Sequence, residues 1–151
     1  MSVALKAIGV LTEINQDPQE LVERISCNGK LLAYIIPATA TTERTAFLTP
    51  DTCNFQLGFI AYPTGGVVAR HTHRPLERNI VGTSEVLLIR SGRCLVDIYD
   101  DEKRHVTTRE LRAGAVVLLM AGGHGFRMLE DTVFLEIKQG PYTGMDEKER
   151  F

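Results

Sequence analysis

Three of the four histidines fall where imidazoles could act together: His71-Thr72-His73 and His124. On a strand, residues two apart project from the same face. An HxH pair therefore sets two rings side by side where one metal ion can reach both. Such pairs also arise on ordinary surfaces, so the surroundings must decide. Gly65 precedes His71 by five intervening residues, and Glu85 precedes Gly92 by six in Glu85-Val-Leu-Leu-Ile-Arg-Ser-Gly92. Further on, Gly114-Ala-Val-Val-Leu-Leu-Met-Ala-Gly122-Gly-His124 reads as a strand, a tight turn and a third histidine. His105 follows an acidic turn in Lys103-Arg-His-Val106 and reads as an ordinary surface residue.

The elements that must position these groups are short. Asp17-Pro18-Gln19-Glu20 predicts a helix start, with Asp17 as cap, Pro18 at the first helical position and Glu20 reaching back. Leu21, Val22 and Ile25 supply an apolar stripe that Asn28-Gly29 ends, so a short N-terminal helix is expected. From Leu31 the pattern changes to runs of Val, Ile, Leu and Phe bounded by Gly, Pro, Asp or Asn. Strands are predicted over 31–36, 45–48, 55–61, 67–71, 85–90, 94–99, 104–111, 115–120, 124–129 and 132–139. Spacing of this kind points to an all-β sandwich or barrel. An immunoglobulin core is excluded, because the chain has no tryptophan.

Composition sets the outer bounds. The 151 residues carry 17 Lys or Arg and 19 Asp or Glu, a formal charge of −2, and 44% are hydrophobic. That suits one globular domain able to bury its own core. No basic run or patch marks a nucleic-acid binder, and no apolar stretch is long enough to span a membrane. Cys27, Cys53 and Cys94 form no CxxC pair, so a zinc knuckle and a disulfide framework are both unreadable. The first residues, Met1-Ser-Val-Ala-Leu-Lys6, lack a secretory pattern, and a cytoplasmic setting is expected.

With these motifs in view, the chain resembles the cupin superfamily, small double-stranded β-helix (jelly-roll) barrels. That family's first motif, G-x5-HxH-x3,4-E-x6-G, is matched by Gly65, His71, His73, Glu85 and Gly92 except that eleven residues, 74–84, separate His73 from Glu85. Its second motif, G-x5-P-x-G-x2-H-x3-N, is matched at Gly114, Gly122 and His124. Met120 replaces the proline, one residue is missing before the histidine, and Met128 stands for the asparagine. The resemblance covers about residues 55–139. It implies a barrel core there, on which 1–54 is expected to pack as an N-terminal helix and flanking strands; the charged run that closes the chain marks 140–151 as an exposed C-terminal tail, whose Phe151 could dock on a neighbouring surface.

The resemblance also implies His71, His73, Glu85 and His124 as ligands of a divalent ion. Three imidazoles and a carboxylate suit Fe, Mn, Ni, Zn or Co without choosing among them. Glu77 is the rival carboxylate by interval. Strand parity favours Glu85, which shares a face with Leu87 and Ile89, whereas Glu77 follows Pro75 in an apparent loop. That loop should overhang the barrel mouth, where Arg78 could meet an anionic ligand. On the strand at 124–129, Phe126 and Met128 share the face of His124. On the last strand, Val133, Leu135 and Ile137 are the default inward set. If the N-terminal segment covers the barrel, both faces are buried and Glu136 with Lys138 become a charged pair near the metal.

The expected function is thus a single-domain cupin acting on a small molecule, a sugar or organic acid, in a reaction the sequence does not specify. A non-catalytic binding or sensing module, and a metal-free sugar isomerase or epimerase using a barrel histidine as base, are the alternatives. A homodimer is expected, as cupins commonly form.

Overall fold

The apolar runs pair both with the next strand in the chain and with strands far from it, and the structure, a computed structural model, describes residues 17–141 and 144–151. Ten strands form: β1 (Glu23–Cys27), β2 (Lys30–Ile36), β3 (Ala46–Phe47), β4 (Gly58–Phe59), β5 (Glu85–Ser91), β6 (Arg93–Tyr99), β7 (His105–Arg112), β8 (Val116–Leu119), β9 (Gly123–Met128) and β10 (Val133–Lys138). They build a five-stranded sheet ordered β1-β2-β8-β5-β10, a three-stranded sheet ordered β7-β6-β9 and a small β3-β4 ribbon, all antiparallel. The fold is all-β. No helix among the described residues is long and apolar enough to cross a membrane.

The N-terminal helix is not formed as expected. Asp17 does cap, accepting from the Gln19 N–H at 3.0 Å, and Pro18 follows it, but the result is one 3-10 turn, Pro18–Leu21. The stripe beyond becomes β1. Asn28-Gly29 explains why: both residues take the left-handed conformation, with φ of 49° and 77°, and close a two-residue hairpin that pairs Cys27 with Lys30. Asn-Gly is the strongest short hairpin signal, and here it overrides the helix-stop reading of the same dipeptide. Residues 1–16 of the expected N-terminal unit lie outside the described residues.

The two larger sheets face each other. Leu32, Ala33, Ile35, Leu87, Ile89, Val117 and Leu119 from one join Cys94, Val96, Ile98 and Leu111 from the other in one buried cluster. A second cluster, Tyr34, Ile36 and Leu118, lies on the outer face of the five-stranded sheet, where Phe55, Leu57 and Phe59 cover it. The Tyr34 hydroxyl donates to the Leu48 carbonyl at 3.0 Å, so its buried oxygen is satisfied.

The expected strand over 67–71 is absent. Residues 60–84 run without regular structure and are largely exposed, Val67 at 82% and Val81 at 79%. An apolar run becomes a strand only when a sheet edge accepts its backbone groups, and this one is paired with no strand among the described residues. In consequence β9 and β10 remain terminal strands, and neither sheet closes into a barrel among the described residues.

On β10 the default inward set is reversed. Phe134, Glu136 and Lys138 stand opposite Ile89, Leu87 and Glu85 and share their inner face, while Val133, Leu135 and Ile137 are turned outward at 57%, 50% and 57% exposure. Register decides this. Pairing Lys138 with Glu85 sets an ammonium beside a buried carboxylate and lays Phe134 on Phe126, centroids 5.1 Å apart.

Candidate functional site

The site grows from two strand ends in facing sheets. Glu85 opens β5 on the inner face with Leu87 and Ile89, as parity predicts, and is 7% exposed. His124 lies near the start of β9 opposite Ile98, a core residue, so it too looks inward with Phe126. Gly122 makes that approach possible: its φ is +69°, and a Cβ there would stand 2.2 Å from the Tyr99 carbonyl oxygen. The chain can turn into β9 tightly against β6 only because the side chain is missing.

The two groups meet. His124 Nε2 is 3.1 Å from Glu85 Oε2, and Lys138 Nζ is 3.9 Å from the other carboxylate oxygen. Lys138 is also 3.9 Å from Glu136 Oε1. A buried carboxylate without cationic partners would be costly, and here an imidazole and an ammonium share it. Burial pushes the His124 pKa below the ordinary value, and the Glu85 carboxylate opposes that shift. The Phe126 ring lies 6.0 Å from the imidazole.

Around the pair is a cavity of about 940 Å³, lined by Thr83, Tyr99, Phe126 and the C-terminal residues 147–151 among others. Its size suits a small organic molecule. The tail is held in place: Phe151 meets the Tyr99 ring edge-on at 5.1 Å, Lys103 Nζ lies over the Phe151 ring, and Lys103 Nζ is 2.5 Å from Glu149 Oε1. Tyr99 and Lys103 carry no local motif. Only the docking of Phe151 has a signal in the sequence, an aromatic ending a charged run.

His71 and His73 lie in the exposed segment and are not brought to Glu85 and His124. They do form a pair, ring centroids 5.2 Å apart and edge to face. His71 Nδ1 is 2.9 Å from the Ala69 carbonyl oxygen, which can only accept, so Nδ1 is the donor of this hydrogen bond. Glu77 and Arg78 lie in the same exposed segment, away from the buried carboxylate. Among the described residues no group of three or more His, Cys, Asp or Glu stands close enough to hold a metal ion.

Beside Glu85 one polar atom lacks a partner. Gln139 accepts from the Ser84 N–H at 2.8 Å, but its buried Nε2 finds no acceptor among the described residues. The arrangement can hold a proton between His124 and Glu85, or offer one imidazole nitrogen and carboxylate oxygens to a cation. As donors, the carboxylate and the three imidazoles fit a divalent transition metal in chemistry; in position, two meet in the cavity and two are paired elsewhere. No protein-family model, no curated protein and no solved structure matches the chain.

Proposed function

We propose that this chain is a small cupin-type protein that binds one divalent transition-metal ion through Glu85, His124, His71 and His73 and uses it to hold a small organic ligand. The observation that carries the reading is the meeting of Glu85 and His124, 3.1 Å apart at the wall of a ligand-sized cavity between facing sheets. These are the carboxylate and the third histidine of the two motifs, brought together from separate strands.

Completion of the site calls for pairing of residues 67–73 with the edge of β9, the terminal strand that carries His124. Two features support it. The two histidines already lie side by side, and the contact of His71 Nδ1 with the Ala69 carbonyl leaves Nε2 as the ring nitrogen that can meet a ligand. Filling that edge would give the double-stranded β-helix its fourth strand on the smaller sheet. When bound, the metal supplies a Lewis acid that polarises a ligand oxygen.

The test is elemental analysis of protein purified without added metal, then reconstituted with Fe, Mn, Ni, Zn or Co. One ion per chain, lost in His73→Ala, is the expected result. A protein that stays free of metal after every reconstitution overturns it.

A second reading rests on the same pair. As placed, His124 and Glu85 form an imidazole–carboxylate dyad in a cavity, able to take and return a proton without metal, as a sugar isomerase or epimerase would require. Activity on sugar substrates in the presence of a chelator distinguishes it.

A further inference from the structure

Two cations in the wall of the Glu85–His124 cavity have no carboxylate against them. On the strands and the turn that follows β6, each lining carboxylate has its partner. Glu85 has His124 and Lys138, Asp100 has Arg104 at 2.9 Å, and Asp101 has Lys30 at 2.5 Å. The remaining wall is residues 147–151. Here Glu149 and Phe151 serve as anchors, the first on the Lys103 ammonium and the second on the Tyr99 ring. Gly123 gives the Phe151 ring its seat, since a Cβ there would stand 2.8 Å from the ring's Cζ. Lys148 and Arg150 alternate with the anchors, line the cavity, and pair with no carboxylate among the described residues.

A lone exposed lysine needs no partner, but these two are set in place by their neighbours. Glu149, the carboxylate between them in sequence, is already held by Lys103 and cannot serve both sides at once. Lys148 stands near enough to His124 to work against a positive charge there, so the space the two share favours an anion. Arg150 adds a planar guanidinium, which meets a carboxylate or phosphate through two parallel hydrogen bonds. A cleft with low-dielectric walls focuses the field of such charges beyond what they would exert on an open surface. Both side chains are exposed and able to reach an incoming molecule.

We propose, on the reading of this cavity as a ligand site, that its ligand is a small organic anion whose carboxylate or phosphate is held by Lys148 and Arg150. Residues 147–151 then act as a strap that carries the charge-reading groups, fixed by Phe151 on Tyr99 and by Glu149 on Lys103. The rest of the molecule is left to Glu85, His124 and the Phe126 ring.

The test is an amide NMR titration of the isotopically labelled full chain, stripped of metal on a chelating resin. The probes are succinate, its neutral isostere succinamide, and inorganic phosphate, followed at residues 122–126 and 147–151. Saturable shifts with succinate or phosphate and none with succinamide are expected, and the tighter of the two anions tells carboxylate from phosphate. Lys148→Met/Arg150→Met should weaken that binding at least about tenfold, the scale of one lost charged hydrogen bond, while Lys148→Arg should retain it. Arg90→Met/Arg112→Met makes the same change of net charge at exposed positions outside the cavity and should bind as the unaltered chain does. No saturable binding of either anion, equal binding of succinamide, undiminished binding in Lys148→Met/Arg150→Met, or an equal loss in Arg90→Met/Arg112→Met overturns the proposal. Elemental analysis of a metal-reconstituted sample reads the metal site separately: one ion per chain without anion binding defeats this proposal alone, and anion binding without metal leaves it standing. All four substituted positions are exposed, and circular dichroism checks that the β-fold is retained.

Discussion

Glu85 and His124 sit on facing sheets, and their side chains meet at 3.1 Å with Lys138 on the carboxylate's other oxygen. Each sheet contributes one member, so the pair reports the packing of the sandwich as well as the chemistry of the cavity.

The carboxylate ranking is directly measurable. Glu85 is buried in the cavity wall and Glu77 is exposed in the long segment. Removing even an outer partner of a metal ligand costs about 10–100-fold in affinity, so Glu85→Gln should cost at least that. Glu77→Gln should change affinity several-fold less. Isothermal titration with Mn(II) or Ni(II) reads both, and the reverse ranking moves the carboxylate role to the loop.

His73→Ala should lower metal occupancy while leaving thermal unfolding of the metal-free protein nearly unchanged, because the side chain is exposed and outside the core. Occupancy is read by elemental analysis and stability by calorimetry. A large stability loss without loss of metal would make His73 a structural residue.

Acid stability should depend on Asp97. Hydrogen bonding by Arg127, with Nε 3.0 Å from one carboxylate oxygen and Nη2 3.1 Å from the other, holds its pKa below the ordinary 3.8, helped by the Thr108 hydroxyl at 2.5 Å. A lowered folded-state pKa means stability that is present above the unfolded value and lost as pH falls through 3.8 toward the folded one. Asp97→Asn should cost about 1 kcal/mol at neutral pH, discounted because Arg127 is well exposed. It should also flatten the pH dependence of urea unfolding below pH ~4.

Two glycines flanking the candidate histidine should behave oppositely. Gly122→Ala sets a Cβ 2.2 Å from the Tyr99 carbonyl oxygen at a positive φ, and should destabilise by at least ~1–2 kcal/mol. Gly125 has no atom within 4 Å of where its Cβ would stand, so Gly125→Ala should be near neutral or mildly stabilising. Chemical denaturation of the two variants makes the comparison.

Much of the scaffold was legible in the sequence because local pattern fixes strand existence: eight of the ten predicted strands from residue 31 onward have counterparts within two residues at each end except 55–61, which shortens to Gly58–Phe59, and 67–71, which is missing. The inward setting of Glu85, Leu87 and Ile89 followed from alternation alone. Asn28-Gly29 shows the limit of local reading, since the same dipeptide ends a helix or closes a hairpin. Its outcome depended on whether β1 had β2 beside it. For β10, both alternating sets were plausible inward faces, and nothing local could choose between them.

By itself the sequence determined the all-β class, the strand periods and the residue types available for chemistry, because these follow from side-chain alternation and turn propensity within a few residues. Tertiary structure alone decided which face of β10 is inner, which carboxylate meets His124 and where Phe151 rests. Those relationships are distances between segments far apart in the chain, set by strand register and by the packing of one sheet on the other.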